Sequence, residues 1–185
     1  MMDKIKNLCL VLGFAALFLS CGEIDKPDTS PAQTDSIVGD SPEQFISYSA
    51  NAVVGETVYI PVYSHIYQRN QSRTFNLTAT LSIRNTDLNA PITIKKVYYY
   101  DSSGKLVHKY LDSPQIIDPL SSTSFVIEEE DLRGGVGANF LVLWEAKNNV
   151  SKPVFEAVMI STAQNQGLSF VSEGRVIDSF NTISQ

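Results

Sequence analysis

Two histidines, His65 and His108, and one acidic run, Glu128-Glu129-Glu130-Asp131, are the groups in this chain whose type points most directly to proton transfer or metal binding. Neither develops into a site. The histidines fall in different predicted strands, and no nucleophile elbow, zinc-protease helix, phosphate loop or dinucleotide fingerprint accompanies them. The acidic run could offer oxygen ligands to Ca²⁺, but it lacks the alternating Asp-x-Asp-x-Asp-Gly spacing that turns several carboxylates onto one ion. It reads as a solvated strand end, and no metal or cofactor is expected. The glycines that follow, Gly134, Gly135 and Gly137, open no helix and so offer an anion no helix dipole; they read as a turn that needs positive φ.

A different pattern points to recognition. In the run Val58 to Tyr67, Val58, Ile60, Val62 and Ile66 take one parity, and Tyr59, Tyr63, His65 and Tyr67 take the other with Pro61. The first parity accounts for the core side of a strand. The second places three tyrosines and a histidine where Lys, Glu or Thr would be ordinary. Tyrosine brings large rigid area and one polar handle to a contact surface. Tyr59, Tyr63, His65 and Tyr67 are therefore a candidate binding face, the competing account being that a second layer, such as the segment after Val176, covers the rings.

The first twenty residues carry chemistry of another kind. Lys4 and Lys6 precede an apolar stretch, Leu8 to Leu19, that is too short to anchor stably across a bilayer. It closes on Leu17-Phe18-Leu19-Ser20-Cys21-Gly22, which resembles the lipobox of bacterial lipoproteins in a loose form. The resemblance implies cleavage before Cys21 and acylation of that residue, so the membrane contact is the lipid anchor. The mature chain then has no thiol left to pair, and its formal charge moves from −6 to −7 as two lysines and one aspartate leave. That balance argues against nucleic acid as a partner. The resemblance places the protein in the cell envelope, on the periplasmic face or the cell surface. Asp35-Ser36-Ile37 matches a short bacterial O-glycosylation sequon, a three-residue pattern that chance also supplies.

These features need elements to position them. Residues 21–52 are rich in Asp, Ser, Pro, Thr and Gly and read as a flexible linker. A folded domain is expected over 53–178, with a tail at 179–185. Its centre is Thr74 to Asp112. Phe75, Leu77, Ala79, Leu81 and Ile83 alternate with polar residues in one long strand, and Asp101-Ser102-Ser103-Gly104 is a hairpin turn. Between these, Ile92 and Ile94 share a phase that Val97 does not keep, from either a β-bulge at Lys95-Lys96 or a strand partly covered on both faces. Pro61 cannot donate to a ladder, which makes Val58–Tyr67 an edge strand or one interrupted by a bulge. The segments Asn139–Ala146 and Val154–Thr162 are apolar on both parities and read as central strands, with Trp144 buried. Eight or nine short strands with no helical period predict an all-β, immunoglobulin-like antiparallel sandwich, with a small barrel as the second choice.

Five segments in order, VYIPVYSHIY, FNLTATLSIRNTD, VYYYDSSGKLVHKYL, EEEDLRGGVGANFLVLW and GLSFVSEGRVI, together resemble the bacterial family catalogued as domain of unknown function 3124, from about Thr57 to Ile177. The resemblance implies a bacterial protein, often a lipoprotein, and brings no activity with it. The expected function is a membrane-tethered binding or scaffolding module for an envelope protein or glycan, without catalysis. The alternative is an envelope enzyme or metal-dependent accessory acting on cell-wall or surface glycans.

Overall fold

The computed structural model describes residues 42–162 and 167–182. The signal segment, Cys21, Ser36 and most of the expected linker lie outside them. A single turn of helix, α1 (Pro42–Phe45), leads into β1 (Val54–Pro61), β2 (His65–Tyr67), β3 (Thr74–Asn76), β4 (Thr78–Arg84), β5 (Ile92–Tyr100) and β6 (Leu106–Lys109). Then come β7 (Gln115–Ile117), β8 (Ser122–Ile127), a 3-10 turn (Leu132–Gly137), β9 (Asn139–Ala146), β10 (Val154–Ser161), β11 (Leu168–Glu173) and β12 (Arg175–Asn181). One sheet runs β12-β1-β9-β5-β6 with β7 also on β5; the other runs β11-β10-β4-β8, and β2 and β3 form a small ribbon. All of these pairings are antiparallel. The fold is an all-β sandwich of two open sheets, as expected; the barrel is not formed.

Period-two alternation builds the core between the sheets. Val58 and Ile60 of β1, Phe140, Val142 and Trp144 of β9, and Ile92 and Ile94 of β5 face Ala79, Leu81 and Ile83 of β4 and Phe155, Ala157 and Met159 of β10. The phase slip in β5 is a bulge: Ile94 lies opposite Trp144 and Lys96 opposite Leu143, leaving Lys95 as the extra residue. The slip returns Val97 and Tyr99 to the core side.

The double apolar parity of β9 has a simple cause. Its second face, with Leu143, meets Phe45 and Tyr98 in a separate buried cluster. Phe45 is fully buried and its ring meets Tyr98 edge-on at 5.0 Å, while Tyr48 stacks on Phe180 and donates its hydroxyl to Asp178 at 2.8 Å. The packed unit thus extends N-terminal of Val53, into residues whose composition reads as linker, and β12 continues past Asp178 to Asn181.

Three expectations about strands need correction. β1 is not an edge, since β9 and β12 flank it. Pro61 is tolerated because β12 pairs only as far as Tyr59, so the missing N–H falls where one neighbour has ended; a register shift between Thr57 and Val58 marks a bulge in that ladder. The long strand at Thr74–Ile83 is broken at Leu77, whose N–H donates to Ser64 O at 2.9 Å and which divides β3 from β4. β10 is buried on one face only: Val158 and Ile160 are 37% and 44% exposed, because no described element covers the outer face of its sheet.

Candidate functional site

The four-residue stripe does not form one surface. Tyr59 lies half-buried on the outer face of β1, opposite Leu141 of β9. The chain then leaves the strand: Val62 N–H donates to Ala138 O at 2.9 Å, and Ser64 N–H to Gly135 O at 3.0 Å. Tyr63, 38% exposed, turns toward the other sheet and sets its ring edge against Phe170 of β11 at 6.0 Å. His65 and Tyr67 do stay together on the β2–β3 ribbon, ring to ring at 5.9 Å, with Tyr67 46% exposed. The segment after Val176 pairs alongside β1 and does not lie over these rings.

Ser64, inside this run, is buried and fastens the ribbon to the 3-10 turn. Its Oγ accepts from Gly135 N–H at 2.8 Å and lies 3.3 Å from the carbonyls of Leu132 and Gly135. Ser102, from the β5–β6 hairpin, holds the turn from the other side: its Oγ donates to Gly134 O and accepts from Gly137 N–H, each at 2.9 Å. The turn needs its glycines. Gly135 has φ +75, as the sequence pattern requires, and a Cβ on Gly134 would fall 1.8 Å from the Tyr99 hydroxyl. Asp131 caps the turn by accepting from Arg133 N–H at 3.2 Å, and the Arg133 guanidinium clasps the same carboxylate through two bonds of 2.8 and 2.7 Å. This clasp, chiefly the guanidinium bonds, holds the Asp131 carboxyl below its ordinary range.

The turn and the strand end before it border an open cleft of about 800 Å³ where β6 and β8 leave the sandwich uncapped. Tyr110 lines it, its hydroxyl donating to Val126 O at 2.9 Å and its ring packed on Phe125 and Phe140. Burial pushes that hydroxyl above its ordinary pKa, so it remains a donor across the accessible range. His108 sets its ring edge on Tyr110 at 4.6 Å, and Glu128, Glu130 and the Asp131–Arg133 pair complete the lining. An aromatic wall facing carboxylates can stack a ring or apolar stem and accept hydrogen bonds from hydroxyl or ammonium groups. Among the described residues, no three His, Cys, Asp or Glu side chains converge as a metal ion would need. The acidic run therefore serves as one lip of a cleft, beyond its reading as a solvated strand end.

The model of one protein family matches residues 55–177, which takes in the cleft, both serine clamps and the Tyr59–Tyr67 run. The chain belongs to that family, described as Protein of unknown function (DUF3124). No curated protein matches. A solved structure titled "Crystal Structure of Thermotoga maritima 1070" is 15% identical over 65% of this chain and 92% of its own, with a TM-score of 0.39, a likeness too slight to carry an argument.

Within the DUF3124 domain, sequence reasoning passed over two residues of consequence. Ser64 looks like any polar residue in a strand, and only the tertiary contact shows it as a clamp. Glu56 was readable: it keeps phase with Val54, Val58 and Ile60, so it sits in a core row, and it is buried. Gly55-Glu56-Thr57 instead reads as a lead-in to the strand, and that hid the carboxylate.

Proposed function

We propose that the protein is a membrane-tethered envelope lipoprotein whose DUF3124 domain binds a protein or glycan partner and performs no catalysis itself. The tether rests on the Leu17–Cys21 pattern, and the binding role on the domain. The observation that carries it is the open cleft beside Tyr110. There a half-buried ring, an exposed histidine and the carboxylates of Glu128 and Glu130 border a turn fixed by two serines. Fixing of this kind lowers the entropy lost when a ligand is ordered against the site. The His65–Tyr67 pair, a half-buried imidazole beside an exposed ring, lies on the ribbon that Ser64 ties to the same turn.

The test is site-directed photo-crosslinking in the intact envelope, with the probe at Glu130 and a control probe at exposed Leu88 in the β4–β5 loop. A product specific to Glu130, and lost with His108→Ala, supports the reading, its protein or glycan nature following from protease and glycosidase digestion. Identical products from both probes, or none from Glu130, would overturn it. Turnover of envelope glycan by the purified protein would favour the enzymatic alternative.

A further inference from the structure

The inward row of β1 reads Val54, Glu56, Val58, Ile60: one carboxylate among apolar side chains. Glu56 is 4% exposed and lies opposite buried Trp144 on β9. A carboxylate taken that far from water must be compensated by a cation. The cation is Lys152, whose Nζ donates to Glu56 Oε1 at 2.7 Å although its side chain is 78% exposed. Two recesses flank the pair, of about 330 and 410 Å³, and Glu56 and Lys152 line both. Val58, Phe155 and Val176 line the first beside the carboxylates of Glu156 and Glu173, and Val54 and Phe180 line the second beside Ser179 and Asn181. The lysine side chain is thus a partition standing in one groove between β1, β10 and β12.

We propose that this groove is a binding site for a primary alkylammonium group, with Glu56 as the buried acceptor and Lys152 as a resident cation that the ligand displaces. Exchange of one ammonium for another keeps the carboxylate paired throughout, so the step avoids an uncompensated buried charge. The displaced lysine loses little, since most of its surface is already in water. Its backbone stays put, because Thr86 donates to Lys152 O at 2.8 Å and Ser151 N–H donates to Asp87 at 2.8 Å, so only the side chain has to swing. The apolar walls suit a methylene stem. The groove lies apart from the His108–Tyr110 cleft and stands independently of the function proposed for it.

The experiment is an NMR titration of the protein with n-butylammonium, reading the Glu56 amide and Trp144 indole signals, with n-butanol as the neutral isostere. Butylammonium is expected to shift both signals where butanol does not. Lys152→Met should tighten butylammonium binding roughly tenfold or more, the scale of one charge-assisted hydrogen bond. Glu56→Gln should abolish the response in either background. The proposal falls if Lys152→Met binds no tighter than wild type, if Glu56→Gln/Lys152→Met binds as well as Lys152→Met, or if butanol matches the amine. Should Lys152→Met not fold, the single Glu56→Gln comparison decides: a retained wild-type response overturns the site. A short peptide with one lysine, run beside the free amine, distinguishes a protein side chain from a small molecule as the natural source.

Discussion

Gly134→Ala tests how the cleft is built, because the clash it creates has a single dominant partner. The new Cβ would lie 1.8 Å from the Tyr99 hydroxyl oxygen, 2.7 Å from Tyr99 Cζ and 2.7 Å from Ala138 Cβ. Gly134 has no positive φ, so the penalty is steric and the backbone itself could accept alanine. Overpacking of a filled interior costs about 1–3 kcal/mol, and a rigid, fully buried ring puts this case at the upper end. Lower entropy in the unfolded chain returns about 0.4–1 kcal/mol, leaving a net loss of about 2 kcal/mol. Tyr99→Phe removes the nearest atom. That hydroxyl is buried without a hydrogen-bond partner among the described residues, and burial, reinforced by the Asp131 carboxylate, pushes its pKa up to about 12, so its loss should be close to neutral. In the Tyr99→Phe background, Gly134→Ala should cost less by about 1 kcal/mol, a coupling that a double-mutant cycle resolves. Urea unfolding followed by Trp144 fluorescence measures all four proteins. Equal costs of Gly134→Ala in both backgrounds would refute the steric account.

Other expectations can be checked with the same preparations. Asp87 accepts from the N–H groups of Ser151, Asn89 and Ala90, with Ser151 the largest influence, which lowers its pKa. Its contribution is therefore present above the ordinary carboxylate value of about 3.9 and disappears as pH falls through the folded value; the stability difference between wild type and Asp87→Asn should narrow at acid pH, and a constant difference would contradict this. Trp144→Ala should cost about 3–5 kcal/mol, while Trp144→Phe should cost far less because Nε1 has no partner to lose, both read by chemical denaturation. Iodide should not quench the folded-state tryptophan. Cys21→Ala should release the protein from the membrane fraction; retention through a carbonate wash would sink the lipid anchor.

Legibility in the sequence followed the range of the interaction. The bulge at Lys95 shows because a slip in a period of two is local, and the depth of β9 shows because both its parities are apolar. The same double parity misleads for β10: Val158 faces Thr80 and Val171 across the ladder, and β-branched neighbours stabilise an open sheet face without any cover. Alternation likewise suggested one aromatic face from Tyr59 to Tyr67. Val62 and Ser64 instead bond to Ala138 and Gly135, distant residues that turn the chain out of its ladder. The cleft was out of reach because its walls come from β6, β8 and the 3-10 turn, and nothing local records which sheet edges adjoin. Phe45 and Tyr48 were lost in polar surroundings, although a buried aromatic needs only its partner, not apolar neighbours in sequence.

The placement of β1 has a temporal consequence. Its neighbours are β9 and β12, so the first strand of the sandwich pairs with the last, Val54 meeting Asn181 on one side and Ala146 on the other. Neither ladder can form while the C-terminal third of the chain is still being made or delivered. Pairings this distant in sequence also close slowly. A chain built this way stays pliant until β12 is available, and it then locks from both flanks of one strand. A version cut before Arg175 should stall with one side of β1 bare, exposing an unpaired edge to the aggregation and proteolysis that a completed sheet resists.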